Sequence, residues 1–570
     1  MIQSFIKKLV DYLGINEEEL LERSQTPKKE DVLCLTKYPE EGAIASSFND
    51  FDKAVKFIAD GIKANDRIAV YGDYDVDGLT STTIIHLGLK LSGLKNVGFY
   101  IPSRYDTGYG LNISILDKMI KAGYKRIIAV DNGITKKKEI QFLLDHDVKV
   151  LVLDHHEEQK NSYPPFGTDN CLIYHRNDVS AACLALVVME RILMDDSLNL
   201  KRYVDRMEAV NYFFTLASLA VFSDCMSLNV KSNLALAKLG LIYLNKGVKS
   251  QLDPFHQGYS NIARLVDKFL DRNVFTYHDI NFSINSKLNS IARVKGGNAT
   301  NIGVYYLEGD TTHNGADILD YIDHVSIQKK IIVQDVMNKG ELKDLNSMYL
   351  MDLSSNDVCP SGLSGLLANR LMDTLNLKRP ILVLCKSKCD ENDVIASFRS
   401  TEEYSLDKII DDSEIRCLLK DHGGHAQACG FSFDRNNKDE IISKLTLLLD
   451  GIQPKEINNP YMEISFEDIG MEAFNAFESL EPFGIGFEKP RLGLRIKREF
   501  LASGLRKKHI LLPLNDGAFK EKRKIVFFNG SNFLETNDCD DILLIGEMVK
   551  DEFRNTVTYS FKVDKALPLY

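Results

Sequence analysis

Apolar positions in the first 250 residues switch repeatedly between two periods. In four short runs nearly every residue is apolar: Arg67–Tyr71, Val97–Ile101, Arg126–Val130 and Val148–Leu153. Such runs read as buried strands. Between them, Ser81–Leu91, Ile113–Ala122 and Lys136–Leu144 carry apolar residues at helical spacing. Another helical stripe (Phe48, Phe51, Ala54, Val55, Phe57, Ile58) precedes the first strand. This alternation predicts an α/β fold with a parallel sheet, because parallel strands need crossovers and the crossover helices cover both faces.

Residues 180–245 read as helical, Asp253–Asp310 as irregular and polar, and Asp317–Asn338 as a long helix. A second α/β pattern begins near Tyr349, with Arg379–Cys385 its plainest strand, and Gly451–Pro460 reads as a linker. Five strand-like runs follow: Arg491–Ile496, His509–Pro513, Lys524–Phe528, Asp541–Val549 and Thr556–Val563. That rhythm predicts a small C-terminal β-barrel. The expected domains are a helical extension (1–45), a first α/β domain (46–250) and a connector with the long helix (251–340). A second α/β domain (341–450) and the barrel (451–570) complete the chain.

Composition changes this picture little. The 44% hydrophobic and 26% charged content is that of a globular protein. No run approaches the roughly 18 apolar residues of a membrane span. Lysines interrupt the opening MIQSFIKKLVDYLG and no small-residue cleavage site follows, so a cytoplasmic location and no membrane partner are expected. The ten cysteines include no C-x-x-C, which argues against a zinc ribbon or redox pair.

Charge matters more. The net charge of −11 weighs against nucleic acid as a partner, yet Arg491–Phe528 holds eleven Lys/Arg and three Asp/Glu, a local +8. Steering depends on where charges sit, so this stretch is a candidate strand-binding face. Arg506, Lys507, Lys508, Lys522 and Arg523 would supply the cations, and Phe500, Phe519, Phe527 and Phe528 the stacking rings.

The densest chemistry follows the first strand, in Tyr71-Gly-Asp73-Tyr-Asp75-Val-Asp77-Gly78. Alternate carboxylates point to hard divalent cations, since clustered anions are costly unless a cation neutralises them. A calcium loop fails on count: with Asp73 at its first position, the bidentate Glu would fall on Ile84. Asp131 follows the third strand, Asp154-His155-His156 the fourth, and Asp224 a run (Leu216–Phe222) that fits helix or strand. Ligand sites in doubly wound sheets collect beyond the strands' carboxyl ends, so these residues can share one crevice.

Several segments resemble one family. DYDVDG, VDNGI, LDHH and FSDCMSL are similar to the four phosphoesterase motifs of the DHH superfamily. YIPSRYDTGYGLN, SKLNSIAR, SGLSGLLANRL, RPILVL, ASFRS, GGHAQACGF and LEPFGIGFEKP resemble its RecJ-type branch of single-strand-specific exonucleases, over roughly 45–565. The resemblance implies a DHH catalytic domain, a helical connector, a DHH-associated substrate-binding domain and an OB-like barrel. It implies two Mn²⁺ or Mg²⁺ ions bridged by Asp131, with Asp75 on the first, Asp77, His155 and Asp224 on the second, and Asp73 beside the first. His156 would face the scissile phosphate, and Asp154 would orient the histidines. Arg104, Asn289, Arg293, Ser397, Arg399, Gly423, Gly424 and His425 would grip substrate.

The implied activity is 5′→3′ release of mononucleotides from single-stranded DNA in repair and recombination. RNA is the alternative strand, and a single-strand-binding protein or helicase the expected partner. One rival is a phosphodiesterase for short oligonucleotides or cyclic dinucleotides. Another is an inactive single-strand-binding scaffold, which the intact ligand set disfavours. Five positions depart from the family pattern: Ser286-Lys287 replaces Pro-Arg, Ala292 and Phe398 replace glycines, and Phe487 interrupts Gly-Asn-Pro. Phe398 is expected to narrow or reshape the pocket for a terminal phosphate.

Overall fold

The computed structural model describes residues 2–36, 50–103, 110–157, 164–198, 203–266, 274–294, 300–310, 315–375, 377–388, 390–453, 461–514, 522–553 and 556–569. Arg104 and Phe519 lie outside them. The chain divides into two compact units, Pro27–Ile457 and a second built from both ends, Met1–Thr26 with Asn458–Tyr570.

The larger unit opens on a five-stranded sheet: β1 (Ile68–Tyr71), β2 (Val97–Tyr100), β3 (Arg126–Val130), β4 (Lys149–Asp154) and β5 (Cys171–His175). Its order is β2-β1-β3-β4-β5 and every pairing is parallel. β1 and β3 are buried along their whole length, which is why they read as unbroken apolar runs rather than alternating ones. One face, through Tyr71, Ile127, Ala129 and Val152, packs with Leu116, Ile140 and Leu143 of helices Ile113–Lys121 and Lys137–Leu144. Helix Val76–Leu91 is buried from Val76 to Leu89 and packs against helices Ala181–Leu193 and Tyr203–Ser223.

One sequence expectation for this unit needs correction. The stretch that reads as irregular, Asp253–Asp310, holds helices His256–Arg264, Ser286–Val294 and Asn301–Glu308 and a π-helical turn, Asp279–Asn285. These helices are short and bury only a few residues each, such as Leu288, Ile291 and Ala292, so their periodic signal is brief. Of the two readings open for Leu216–Phe222 the structure shows the helix, so Asp224 follows a helix end. The long helix spans Gly315–Lys339.

The second sheet comprises β6 (Lys343–Asp344), β7 (Tyr349–Leu353), β8 (Ile381–Lys386), β9 (Asp393–Arg399), β10 (Leu419–His425) and β11 (Ala428–Asp434), in the order β10-β11-β9-β8-β7-β6. Only β7–β8 is parallel.

The smaller unit holds a seven-stranded sheet: β12 (Met462–Ile464), β13 (Leu492–Lys497), β14 (Leu505–Arg506), β15 (His509–Pro513), β16 (Lys522–Phe527), β17 (Asp541–Phe553) and β18 (Thr556–Leu569). The order is β12-β13-β17-β18-β16-β15-β14, and among the described residues the end strands do not pair with each other. N-terminal helices Ile2–Leu13 and Glu17–Ser24 pack on helix Met471–Leu480 of this unit. Phe5 meets Phe477 edge-on at 5.7 Å, and the buried Arg23 guanidinium lies 3.8 Å over Phe487, itself stacked on Phe483. The departure at Phe487 thus supplies the ring on which the N-terminal segment rests. No described helix is long and apolar enough to cross a membrane.

Candidate metal centre

The sheet order reverses at β1, with β2 on one side and β3 on the other, and the loops leaving β1, β3 and β4 open there. The loop after β1 runs directly into helix Val76–Leu91. Asp75 is its N-cap and accepts the Gly78 N–H at 3.0 Å. A Cβ at Gly78 would lie 2.4 Å from the Asp73 carbonyl oxygen, so the loop folds over the helix start only with glycine there.

Asp77 is held by backbone donors of another helix. Its two oxygens accept the N–H groups of Ala181 (2.8 Å) and Ala182 (2.7 Å) at the start of a second helix, whose positive dipole end favours the carboxylate. Asp131 has a left-handed backbone (φ 60°), and its N–H donates to Leu153 O at 2.9 Å. Cys225, immediately after Asp224, is also left-handed (φ 52°). Backbone held in sparsely populated regions at both candidate ligand segments is the kind of strain that functional sites retain.

These segments bring six side chains together in two groups that share one member. Donor atoms of Asp73, Asp75 and Asp131 lie within 4.8 Å of one another, as do those of Asp77, Asp131, His155 and Asp224. His155 Nε2 is 3.2 Å from Asp131, 3.2 Å from Asp224 and 3.5 Å from Asp77. Burial raises the carboxyls of Asp75, Asp77 and Asp131, and the neighbouring carboxylates raise them further; Asp77 reaches about 7. Burial works against protonation of His155, yet Asp224 and Asp77 outweigh it and carry the imidazole up to about 9. Five carboxylates forced together with one imidazole fit divalent cations. The donor set of hard carboxylate oxygens with a single nitrogen suits Mn²⁺ or Mg²⁺ better than a thiophilic ion.

His156 stands at the rim with a half-exposed side chain. Its Nδ1 donates to Asp154 Oδ1 at 2.8 Å, and its carbonyl accepts from His175 Nε2 at 2.8 Å. The Asp154 carboxylate also accepts the N–H groups of His155, His156 and Ile134. Burial pushes the Asp154 acid up, but the His156 charge and these donors hold it well below the usual carboxylate range.

Three supports of the site lie outside the residues singled out by sequence. Buried Asn132 donates to the carbonyls of Gly72 (3.1 Å) and Val130 (2.9 Å), joining the ends of β1 and β3. His175 is the second, and the Ala181–Ala182 backbone, which has no side-chain signature, is the third. Asn132 lies inside VDNGI and was findable; nothing local marks the other two.

The substrate candidates divide. Arg293 closes helix Ser286–Val294. Asn289, on that helix, faces the metal loop: its amide oxygen accepts the Val76 N–H at 3.2 Å. Ser397, Arg399, Gly423, Gly424 and His425 share one end of the second sheet. Cross-strand rows run Arg399–Ala428–His425, Phe398–Cys429–Gly424 and Ser397–Gly430–Gly423. Ser397 Oγ meets Ser364 Oγ at 2.7 Å where helix Ser364–Leu375 begins. A Cβ on Gly365 would fall 2.5 Å from the Arg399 guanidinium, so glycine keeps that corner open.

Two expectations fail here. Phe398 does not narrow this corner: strand alternation turns it away from Ser397 and Arg399 into a core with Leu382, Leu384 and Phe431. Arg523 is not on an exposed basic face. It points inward from β16, is 3% exposed, and donates to the carbonyls of Phe466 and Ile469. Arg506, Lys507, Lys508 and Lys522 are exposed, the first three around the β14–β15 turn. Phe500 and Phe528 are also exposed.

Residues 67–230 match the model of the DHH family, N-terminal domain, and residues 462–565 that of the RecJ OB domain. The single-stranded-DNA-specific exonuclease RecJ of Bacillus subtilis is 24% identical over 538 residues, a match spanning 90% of this chain and 63% of that protein. The Escherichia coli protein of the same name is 20% identical over 548 residues, covering 91% of this chain and 90% of its own. The crystal structure of Thermus thermophilus RecJ with Mn²⁺ superposes with a TM-score of 0.69 at 18% identity, over 95% of this chain and 74% of that one. At that identity the likeness speaks for the fold.

Proposed function

We propose that this chain, in which a DHH-family N-terminal domain is followed by a RecJ OB domain, is a two-metal-dependent exonuclease acting on single-stranded DNA. It would proceed 5′→3′, release mononucleotides and serve DNA repair and recombination. The observation that carries this reading is Asp131, whose oxygens belong to both donor groups.

Asp73, Asp75 and Asp131 would hold one Mn²⁺ or Mg²⁺, and Asp77, Asp131, His155 and Asp224 the other. When bound, two such ions polarise the scissile phosphoryl group and make water nucleophilic at neutral pH. The protein's own groups do the rest. Asp77 is fixed by two backbone donors, so its oxygens need no reorganisation. Asp154 accepts the hydrogen bond from His156 Nδ1–H, which leaves Nε2 as the ring nitrogen that would meet substrate. Burial disfavours a charged His156, but the Asp154 carboxylate prevails and raises its pKa, so Nε2 can donate a proton to the phosphate or leaving oxygen.

Ser397, Ser364 and Arg399, at the start of a 12-residue helix, form a corner suited to a terminal phosphate. Arg104 and Arg293 would add further cations, and the Gly423-Gly424-His425 edge would lie along the neighbouring backbone. The exposed turn Arg506–Lys508, with Lys522, would supply cations for binding the strand.

The test is purified protein with Mn²⁺ on single strands labelled at either end. Mononucleotides released first from the 5′ end support the proposal. Cleavage confined to oligomers of a few nucleotides supports a short-oligonucleotide phosphodiesterase, and tight binding without turnover a scaffold. Release from the 3′ end would overturn the polarity.

A further inference from the structure

Asp75 and Asp224 come from segments about 150 residues apart in sequence, and a third segment ties them together. On helix Ser286–Val294, the amide oxygen of Asn289 accepts the Val76 N–H at 3.2 Å, and its Nδ2 donates to Ser223 Oγ at 3.3 Å. Val76 directly follows Asp75, and Ser223 directly precedes Asp224. One helical turn earlier, buried Asn285 donates its Nδ2 to Leu219 O at 2.9 Å. Asn285 and Asn289 therefore grip Leu219 and Ser223, two positions one turn apart on helix Tyr203–Ser223.

We propose that Asn289 is a positioning residue for the metal centre: through Val76 and Ser223 it sets the Asp75 segment against the Asp224 segment. The proposal rests on the two-metal reading above and assigns Asn289 to the metals rather than to the strand.

The physical reasons are local. Val76 N–H is one of the orphan donors at the start of a helix, and Asp75 spends its cap on Gly78 instead. Asn289 supplies the missing acceptor and at the same time engages the last residue before Asp224. Its own backbone is held firmly. Leu288, Ile291 and Ala292 are buried, the helix packs on Gly315–Lys339, and Lys329 Nζ donates to the Ser286 carbonyl at 3.0 Å. An anchored amide joining two ligand-bearing segments transmits its position to both. Losing such an outer partner of a metal site typically weakens metal binding by roughly 10- to 100-fold.

The experiment is Mn²⁺ titration of the full-length protein by calorimetry and electron paramagnetic resonance, with single-strand affinity measured separately in chelator. Wild type should take up two ions. Asn289→Ala should bind at least one of them about tenfold or more weakly, with single-strand affinity in chelator unchanged. Ser223→Ala, which severs only one arm, should give a smaller loss, and the double variant should be no worse than Asn289→Ala alone. If Asn289→Ala does not fold, Ser223→Ala decides, since it leaves the Val76 contact intact. Unchanged Mn²⁺ binding in the variants would overturn the proposal. Unchanged Mn²⁺ binding with weakened strand binding would make Asn289 a substrate contact. If wild type itself binds fewer than two ions, the two-metal reading fails first and the positioning role falls with it.

Discussion

Stripping divalent ions should turn the buried carboxylate cluster into a pH-dependent weakness. Burial, with the Asp224 charge beside it, raises the Asp77 acid from 3.8 to about 7 in the folded, metal-free protein. A group whose folded pKa lies above its unfolded value binds its proton more tightly when folded. Its contribution is therefore complete below the unfolded pKa and is lost as pH rises through the folded one. For Asp77 the window runs from 3.8 to about 7, a span worth about 4 kcal/mol at ~1.36 kcal/mol per unit.

His155 moves in the same direction, because an imidazole raised to about 9 also loses its contribution as pH rises. The two groups are 3.5 Å apart and describe one interaction, so the losses are not summed. From about pH 5.5 to about pH 7 the metal-free protein should lose about 2 kcal/mol. That corresponds to roughly 2 °C in the melting temperature of the larger unit, at ~2.1 cal/mol/K of unfolding entropy per residue over Pro27–Ile457. The assay is scanning calorimetry in chelator and in saturating Mn²⁺. With Mn²⁺ the ions replace the protons, so the decline should vanish and the whole curve should shift upward. Asp77→Asn should lose most of the decline in chelator. Equal or higher melting temperatures at about pH 7 than at about pH 5.5 in chelator would refute the reasoning.

Further predictions concern the second sheet and the smaller unit. Arg399→Ala should raise KM roughly 10- to 100-fold on strands with a 5′ phosphate, the worth of a charge-assisted contact, and much less on dephosphorylated strands. Phe398→Gly should destabilise the protein by about 3–5 kcal/mol through an unfilled core cavity, read by denaturant unfolding, without changing 5′-phosphate preference. Neutralising Lys507, Lys508 and Lys522 together should weaken strand binding and lower its salt slope by about 2–3, measured by anisotropy against ionic strength. Arg523→Ala should instead lower the melting temperature, because the Phe466 and Ile469 carbonyls lose their donor, and should leave the salt slope unchanged.

Four of the five strands of the first sheet were legible as short apolar runs, because β1, β3 and β4 are almost wholly buried, while β5 (Cys171–His175) was not read. Asp73, Asp75, Asp77 and Asp131 were legible because ligands beyond strand ends announce themselves as short polar clusters after apolar runs. Asp224 was harder: Leu216–Phe222 belongs to a nearly all-buried helix, in which no period distinguishes helix from strand. Asn289 was found only through motif resemblance, and its two partners are a backbone N–H and a serine that carry no signature.

Arg523 and Phe398 show where reading a stretch or a motif position misleads. In a strand, adjacent residues face opposite ways, so one inward arginine hides in a basic run and one inward phenylalanine leaves its neighbours' pocket untouched. The docking of residues 1–26 on a segment more than 400 residues later has no local cue beyond an amphipathic helix. The Arg23–Phe487 contact pairs a common arginine with a ring that reads only as an interruption.

In the proposed reading one carboxylate, Asp131, serves both metal sites. The direct test compares wild type with Asp131→Ala for the number of Mn²⁺ ions bound and for Mn²⁺-dependent nucleotide release from labelled single strands. Two ions and release are expected in the wild type, with both the paired binding and the release abolished in Asp131→Ala while strand affinity in chelator persists. Mn²⁺-dependent release retained by Asp131→Ala would contradict it.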